Sequence, residues 1–87
     1  MDAPVIETVD GELCLPGLVC PMPILRAKKA LRGLEPGALL RVVTTDPHAP
    51  ADFELFCSQT GHRCVEQRTR EGDSGTEYVT VIEKRRD

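Results

Sequence analysis

Apolar positions along the chain recur with two periods. Ile24, Ala27, Leu31 and Leu34 return at helical spacing, and Phe53, Phe56 and Cys57 do so again further on. Each set marks one buried stripe of an amphipathic helix. The first helix is predicted over residues 20–34. Cys20-Pro21-Met22-Pro23 opens it, because proline fits a first turn whose N–H groups have no intrahelical acceptor. Glu35-Pro36-Gly37 closes it. The second helix is predicted over residues 50–60, with Pro50 near its start and Gly61 at its end. Between the two, residues 38–45 form a strand. Leu39, Leu40, Val42 and Val43 are too continuously apolar for a half-exposed edge, and Asp46-Pro47 turns the chain. A short apolar strand over residues 12–15 stops at Pro16-Gly17. Residues 62–69 and 77–84 are β-like runs, joined by a hairpin loop over 70–76 that contains Gly72 and Gly75. Residues 1–9 read as a tail. Asp10-Gly11 also suits a two-residue turn that would pair residues 5–9 as an extra strand, the weaker option.

The resulting order is β-α-β-α-β-β. Helices alternating with strands, then a terminal hairpin, predict an α+β fold in two layers: a small mixed four-stranded sheet with both helices on one face. Residues 1–87 form one domain, since a chain this long supports one core and little more. No internal repeat appears, and the charged end 83–87 reads as a solvated terminus.

Composition narrows the chemistry. Apolar residues make up 40% and charged residues 29%, which suits a globular chain, while aromatics are only 3%. So few rings leave almost nothing on which single-stranded nucleic acid could stack. The net charge of −3 does not favour generic phosphate-backbone affinity either. Direct nucleic-acid binding is therefore not expected. Apolar runs are far too short to span a membrane, and no basic region followed by an apolar stretch opens the chain, which predicts a cytoplasmic protein without a membrane partner. In that compartment the four cysteines, Cys14, Cys20, Cys57 and Cys64, point to free thiols, a metal site or thiol chemistry. A zinc site from Cys57, His62 and Cys64 is disfavoured, because the spacing matches no compact ligand pair. No metal is expected.

The most informative stretch runs from Gly17 to Pro23. With Cys20 at the N-cap, its sulfur would face the positive end of the helix, which favours thiolate over thiol. Pro21 and Pro23 stiffen the turn, and Gly17 permits a sharp path from strand to helix. His48 and His62 are distant in sequence, and no Cys-x-x-Cys occurs. An activated thiolate without an acid–base partner suits relay: it attacks, holds a group and is attacked in turn. On the first helix, Met22, Leu25, Lys29 and Arg32 fall outside the stripe, with Lys28 at its boundary. They form a candidate docking patch in which apolar groups are ringed by cations. Cys14 ends the strand leading to Cys20 and is a candidate redox partner for it. Cys57 reads as a core residue, and Asp46 and Asp52 as turn or capping residues.

These residues also carry a family resemblance. Gly17-Leu18, Cys20-Pro21-x-Pro23, Lys28-Lys29, Pro36-Gly37, Thr45-Asp46-Pro47, Asp52-Phe53, Phe56-Cys57 and Gly61-His62 resemble, in order, the TusA/SirA-like sulfur-carrier family. The resemblance covers roughly residues 12–83. It implies the same two-layer fold and a persulfide carried covalently on Cys20, with no other cofactor. It also implies a sulfur donor, either a cysteine desulfurase or a rhodanese, and an acceptor protein in tRNA thiolation, molybdenum cofactor formation or sulfur oxidation. The chain departs from the family at Cys14, where members usually have Asp. It departs again at Met22, where tRNA-thiolation members frequently have Glu. Two other readings stand beside sulfur carriage: a thiol redox regulator using a Cys14–Cys20 disulfide, and a binding module for protein or nucleic acid using the basic first helix.

Overall fold

In the computed structural model, residues 9–73 and 75–86 are described. The elements are β1 (Gly11–Leu15), α1 (Met22–Arg32), β2 (Leu39–Thr44), α2 (Ala49–Thr60), β3 (Arg63–Gly72) and β4 (Gly75–Glu83). The strands form one mixed sheet in the order β1-β2-β4-β3. β1 and β2 run parallel, and the other two pairings are antiparallel. The α+β two-layer expectation therefore holds. The extra strand considered over residues 5–9 lies almost wholly outside the described residues. Asp10 instead brackets Leu39, donating its N–H to the Leu39 carbonyl and accepting the Leu39 N–H on Oδ2, both at 2.8 Å.

β2 is interior, as its continuous apolar run requires. Leu40 and Val42 face the helices, and alternation sends Val43 to the other side. The core under the helices joins Leu15, Leu40, Val42 and Ile82 of the sheet to Ala27 and Leu31 of α1 and to Phe53, Phe56 and Cys57 of α2. Phe53 is completely buried. Among the described residues the opposite face carries no helix. There Val43, Val79 and Val81 are buried all the same, because long charged side chains lie over them: Arg41 pairs with Glu12 at 3.2 Å, and Arg68 with Glu66 at 3.5 Å. The aliphatic stems of such side chains cover apolar surface while their heads stay wet.

Both ends of the first helix and the hairpin differ from expectation by more than one residue, each for a local reason. α1 begins at Met22 with Pro21 as N-cap, so Cys20 lies before the helix in a turn. It ends at Arg32, where i→i−3 bonds from Gly33 and Leu34 tighten the chain. Within α1 the buried positions are Pro23, Ala27 and Leu31, while Ile24 and Leu34 are half-buried against the core. The hairpin is also longer than predicted. Arg70, Glu71 and Gly72 pair with Glu77, Thr76 and Gly75, so a segment read as loop from its glycines belongs to the strands. A bulge between Cys64 and Glu66 resets the alternation of β3, which keeps Cys64 against the core and turns Glu66 to the open face.

Candidate functional site

Parallel neighbours send their following loops out at the same end of the sheet. Leu15 pairs with Thr44, so the loop from β1 to α1 emerges beside the loop from β2 to α2. Two hydrogen bonds tie these loops together. Gly17, at φ +80°, donates its N–H to Thr45 Oγ1 at 2.9 Å, and Cys20 donates its N–H to Asp46 Oδ2 at 2.9 Å. Asp46 Oδ1 accepts both the N–H of His48 at 3.0 Å and its Nδ1–H at 3.1 Å. Asp46 is only 7% exposed. The His48 amide, then the Cys20 amide, holds its carboxyl below the usual range. A committed carboxylate therefore pins the backbone of Cys20, while the Cys20 side chain stays exposed. The Cys20–Pro21 peptide bond is cis.

The electrostatics at Cys20 run opposite to the sequence expectation. Its thiol pKa is raised. The largest cause is a side-chain hydrogen bond with Asp52, followed by desolvation and by the negative charges of Asp52 and Asp46. The helix end offers little to oppose them. Pro21 and Pro23 carry no N–H, the Met22 N–H is taken by the Val19 carbonyl, and that of Leu25 by Pro21. The prolines that brace the corner thus remove two of the donors that would stabilise a thiolate. Cys20 also has the acid–base neighbour that the sequence did not reveal. Asp52, in the first turn of α2, lines a 200 Å³ pocket with Cys20, Pro21, Ile24, Leu55, Phe56 and Gln59.

The exposed large apolar side chains are Leu55, which lines this pocket, and Val19, Met22 and Leu25, close to Cys20 along the chain. Met22 and Leu25 were expected, whereas Val19 and Leu55 were not. Leu55 comes from α2, whose packing beside α1 only the fold reveals. The charges nearest Cys20 are carboxylates, so the predicted ring of cations is displaced. Lys28 and Arg32 instead line a 340 Å³ groove with Leu31, Phe56, Gln59, Thr60, His62, Lys84 and Arg85. Phe56 and Gln59 border both cavities. None of the described residues lining the groove is a carboxylate. Lys84 Nζ donates to the Leu34 carbonyl at 2.6 Å and Arg85 Nη1 to the Thr60 carbonyl at 3.0 Å, so backbone carbonyls anchor both. Burial, then the charges of Arg85 and Lys84, lowers the pKa of His62. Lys29 is exposed but lies off this groove.

The other cysteines separate clearly. Cys14 sits between Leu13 and Leu15, which face the core, so it points to the helix-free side of the sheet. There it lines a 200 Å³ hollow with Pro16, Val43, Thr45, Asp73 and Glu77. The fold therefore does not bring it to Cys20, although both are exposed. Cys57 is buried, and burial first, then the neighbouring Cys64, pushes its thiol up to about 12. Among the described residues no three His, Cys, Asp or Glu side chains converge as a metal site, and no helix is long and apolar enough to cross a membrane.

Comparison with known proteins places this geometry. A profile of the family "Sulfurtransferase TusA" matches residues 12–84. The sulfur carrier protein TusA of Allochromatium vinosum is 46% identical over 75 residues, covering 86% of this chain and 93% of its own. TusA of Pseudomonas aeruginosa is 40% identical over 81 residues, covering 93% and 98%. The crystal structure of a SirA-like protein from Desulfitobacterium hafniense superposes with a TM-score of 0.63 at 29% identity, covering 83% of this chain and 95% of that one.

Proposed function

We infer that this chain, which belongs to the TusA sulfurtransferase family, is a sulfur carrier that holds sulfur as a persulfide on Cys20 and passes it from one protein to another. One observation carries the reading: Cys20 is an exposed thiol on a corner fixed through its own backbone by buried Asp46. A rigid backbone with a free sulfur suits a group that must be presented in turn to two different protein sites. The chemistry needs no metal and no cofactor beyond the transferred sulfur.

Met22, Leu25, Val19 and Leu55 supply an adaptable apolar rim for the partner. Lys28 and Arg32, on the groove beyond Phe56 and Gln59, supply the charge that orients it. Lys29 extends the same basic face. A cysteine desulfurase or a rhodanese is the donor class. The acceptor is a protein of a thiolation, molybdenum cofactor or sulfur-oxidation route, and the compartment is the cytoplasm. An intramolecular Cys14–Cys20 disulfide is disfavoured because the two thiols serve opposite sides of the sheet. Nucleic-acid binding is disfavoured by the paucity of exposed rings.

The test is direct. Reduced protein incubated with a persulfide-loaded desulfurase or rhodanese gains the mass of one sulfur atom, reversed by dithiothreitol, and Cys20→Ser gains none. Loading that survives Cys20→Ser, or no loading from either donor class, overturns the proposal.

A further inference from the structure

The pocket beside Cys20 pairs a reactive sulfur with a carboxylate that has no other visible task. Asp46 is occupied, with both oxygens bound and its charge held. Asp52 is different. It is half-buried, its backbone N–H belongs to the α2 ladder through the His48 carbonyl at 3.1 Å, and among the described residues its side chain forms no ion pair. Its side chain lines the same pocket as Cys20, where hydrogen bonding to Asp52 and its negative charge raise the pKa of the thiol. Ile24, Leu55 and Phe56 border the same pocket with apolar surface, and the Cys20 thiol stays exposed at its edge.

We propose that Asp52 is a catalytic residue of this carrier, taking the proton from Cys20 Sγ as the sulfur attacks and returning it to the sulfur that leaves. The role rests on persulfide carriage by Cys20. In loading, the Cys20 S–H proton passes to an Asp52 Oδ. Sγ attacks the terminal sulfur of the donor persulfide, a new S–S bond forms at Cys20, and the S–S bond of the donor breaks. The departing donor cysteine takes the proton from Asp52 and is released as a thiol. The Cys20 sulfur is oxidised, the donor cysteine sulfur is reduced, the travelling sulfur is unchanged, and no outside oxidant is needed. Discharge runs the same steps in reverse: Asp52 accepts the proton of the acceptor thiol and returns it to Cys20.

The resting consequence is useful for a carrier. An unloaded Cys20 held protonated by carboxylates is a poor target for small electrophiles, because the thiolate is the reacting form. The groups facing Cys20 from the packed elements are Asp52 of α2 and Asp46 of the β2–α2 loop, with His48 behind Asp46. The first turn of α1 brings no charge.

The test uses the full chain as wild type, Asp52→Asn, Asp52→Glu and Cys20→Ser. Alkylation of Cys20 by iodoacetamide is followed by mass spectrometry against pH, and single-turnover sulfur uptake is followed from thiosulfate-loaded rhodanese. Asp52→Asn is expected to move the alkylation profile to lower pH, since the hydrogen-bonded negative charge is gone. It is also expected to slow sulfur uptake by about a hundredfold, the low end of general acid–base contributions. Asp52→Glu recovers part of the rate. More thiolate with slower transfer is a signature that a merely structural role would not produce. Uptake by Asp52→Asn equal to or faster than wild type, while wild type loads normally, overturns the role of Asp52 alone. A wild type that takes up no sulfur overturns carriage and this role with it, and the alkylation profiles still report whether Asp52 governs the thiol.

Discussion

Cys20 and Asp46, 26 positions apart, meet through a 2.9 Å hydrogen bond from the Cys20 backbone N–H to Asp46 Oδ2. The bond leaves the sulfur free and fixes the chain that carries it. Asp46 also binds its neighbour His48 twice, so one buried carboxylate sets the approach of both helices to the reactive corner.

Removing that carboxylate should loosen the corner before it touches the chemistry. Asp46→Ala leaves the Cys20 and His48 amides without their acceptor, and a thermal midpoint lower by roughly 5–10 °C is expected for a chain this small. Circular dichroism melts check it. Because folding lowers the pKa of Asp46, its contribution is fully present above the unfolded carboxyl value and is lost as pH falls through the folded one. The wild-type midpoint should therefore fall on acidification below about pH 4, and Asp46→Asn should show a shallower fall.

Gly17 occupies φ +80° with no atom within 4 Å of a would-be Cβ. Its requirement is conformational and not steric. Gly17→Ala should cost about 1–2 kcal/mol, and Gly17→Asn less, since Asn tolerates this region. Equal losses in urea titration for the two variants would contradict the assignment.

The thiols should sort by position. Cys14 is exposed and should be alkylated in the native protein, Cys20, exposed but with its thiol pKa raised, should be alkylated more slowly, and Cys57, buried with its thiol at about 12, should react only on unfolding. Peptide mapping of native and urea-treated protein after pulse labelling distinguishes these outcomes. Native-state labelling of Cys57 would contradict its placement in the core.

Charge reversal on the groove should slow encounter without altering the fold. Lys28→Glu with Arg32→Glu is expected to cut the rate of sulfur uptake from the donor about tenfold at low salt, and less at high salt, where exposed charges are screened. Stopped-flow or quenched mass spectrometry across ionic strength checks it. A loss independent of salt would point to damaged packing.

Much of this architecture was legible along the chain because it rests on short-range rules. The stripe through Ala27 and Leu31 identified α1, and the apolar run Leu39-Leu40 and Val42-Val43, broken only by Arg41, placed β2 in the sheet interior. Proline and glycine bounded both helices, and Cys20-Pro21-x-Pro23 marked the sulfur. The hairpin was the local failure. Gly72 and Gly75 carry loop chemistry but here pair across the ladder, where cross-strand partners outweigh intrinsic preference.

What the chain could not disclose is which residues stand beside Cys20. Local order suggested a helix N-terminus that would ionise the thiol. Parallel pairing of β1 with β2 brings in Asp46, and the first turn of α2 brings in Asp52. Two carboxylates from the far side of β2 thus reverse the expected acidity of a residue whose own neighbours in sequence carry no charge. The same alternation that buries Leu13 and Leu15 sends Cys14 to the other face, separating thiols only six positions apart. Periodicity and turn chemistry act over a few residues and are written into the sequence directly. The electrostatic surroundings of an atom are set by whatever the sheet order carries to it, and that is decided only when the chain has folded.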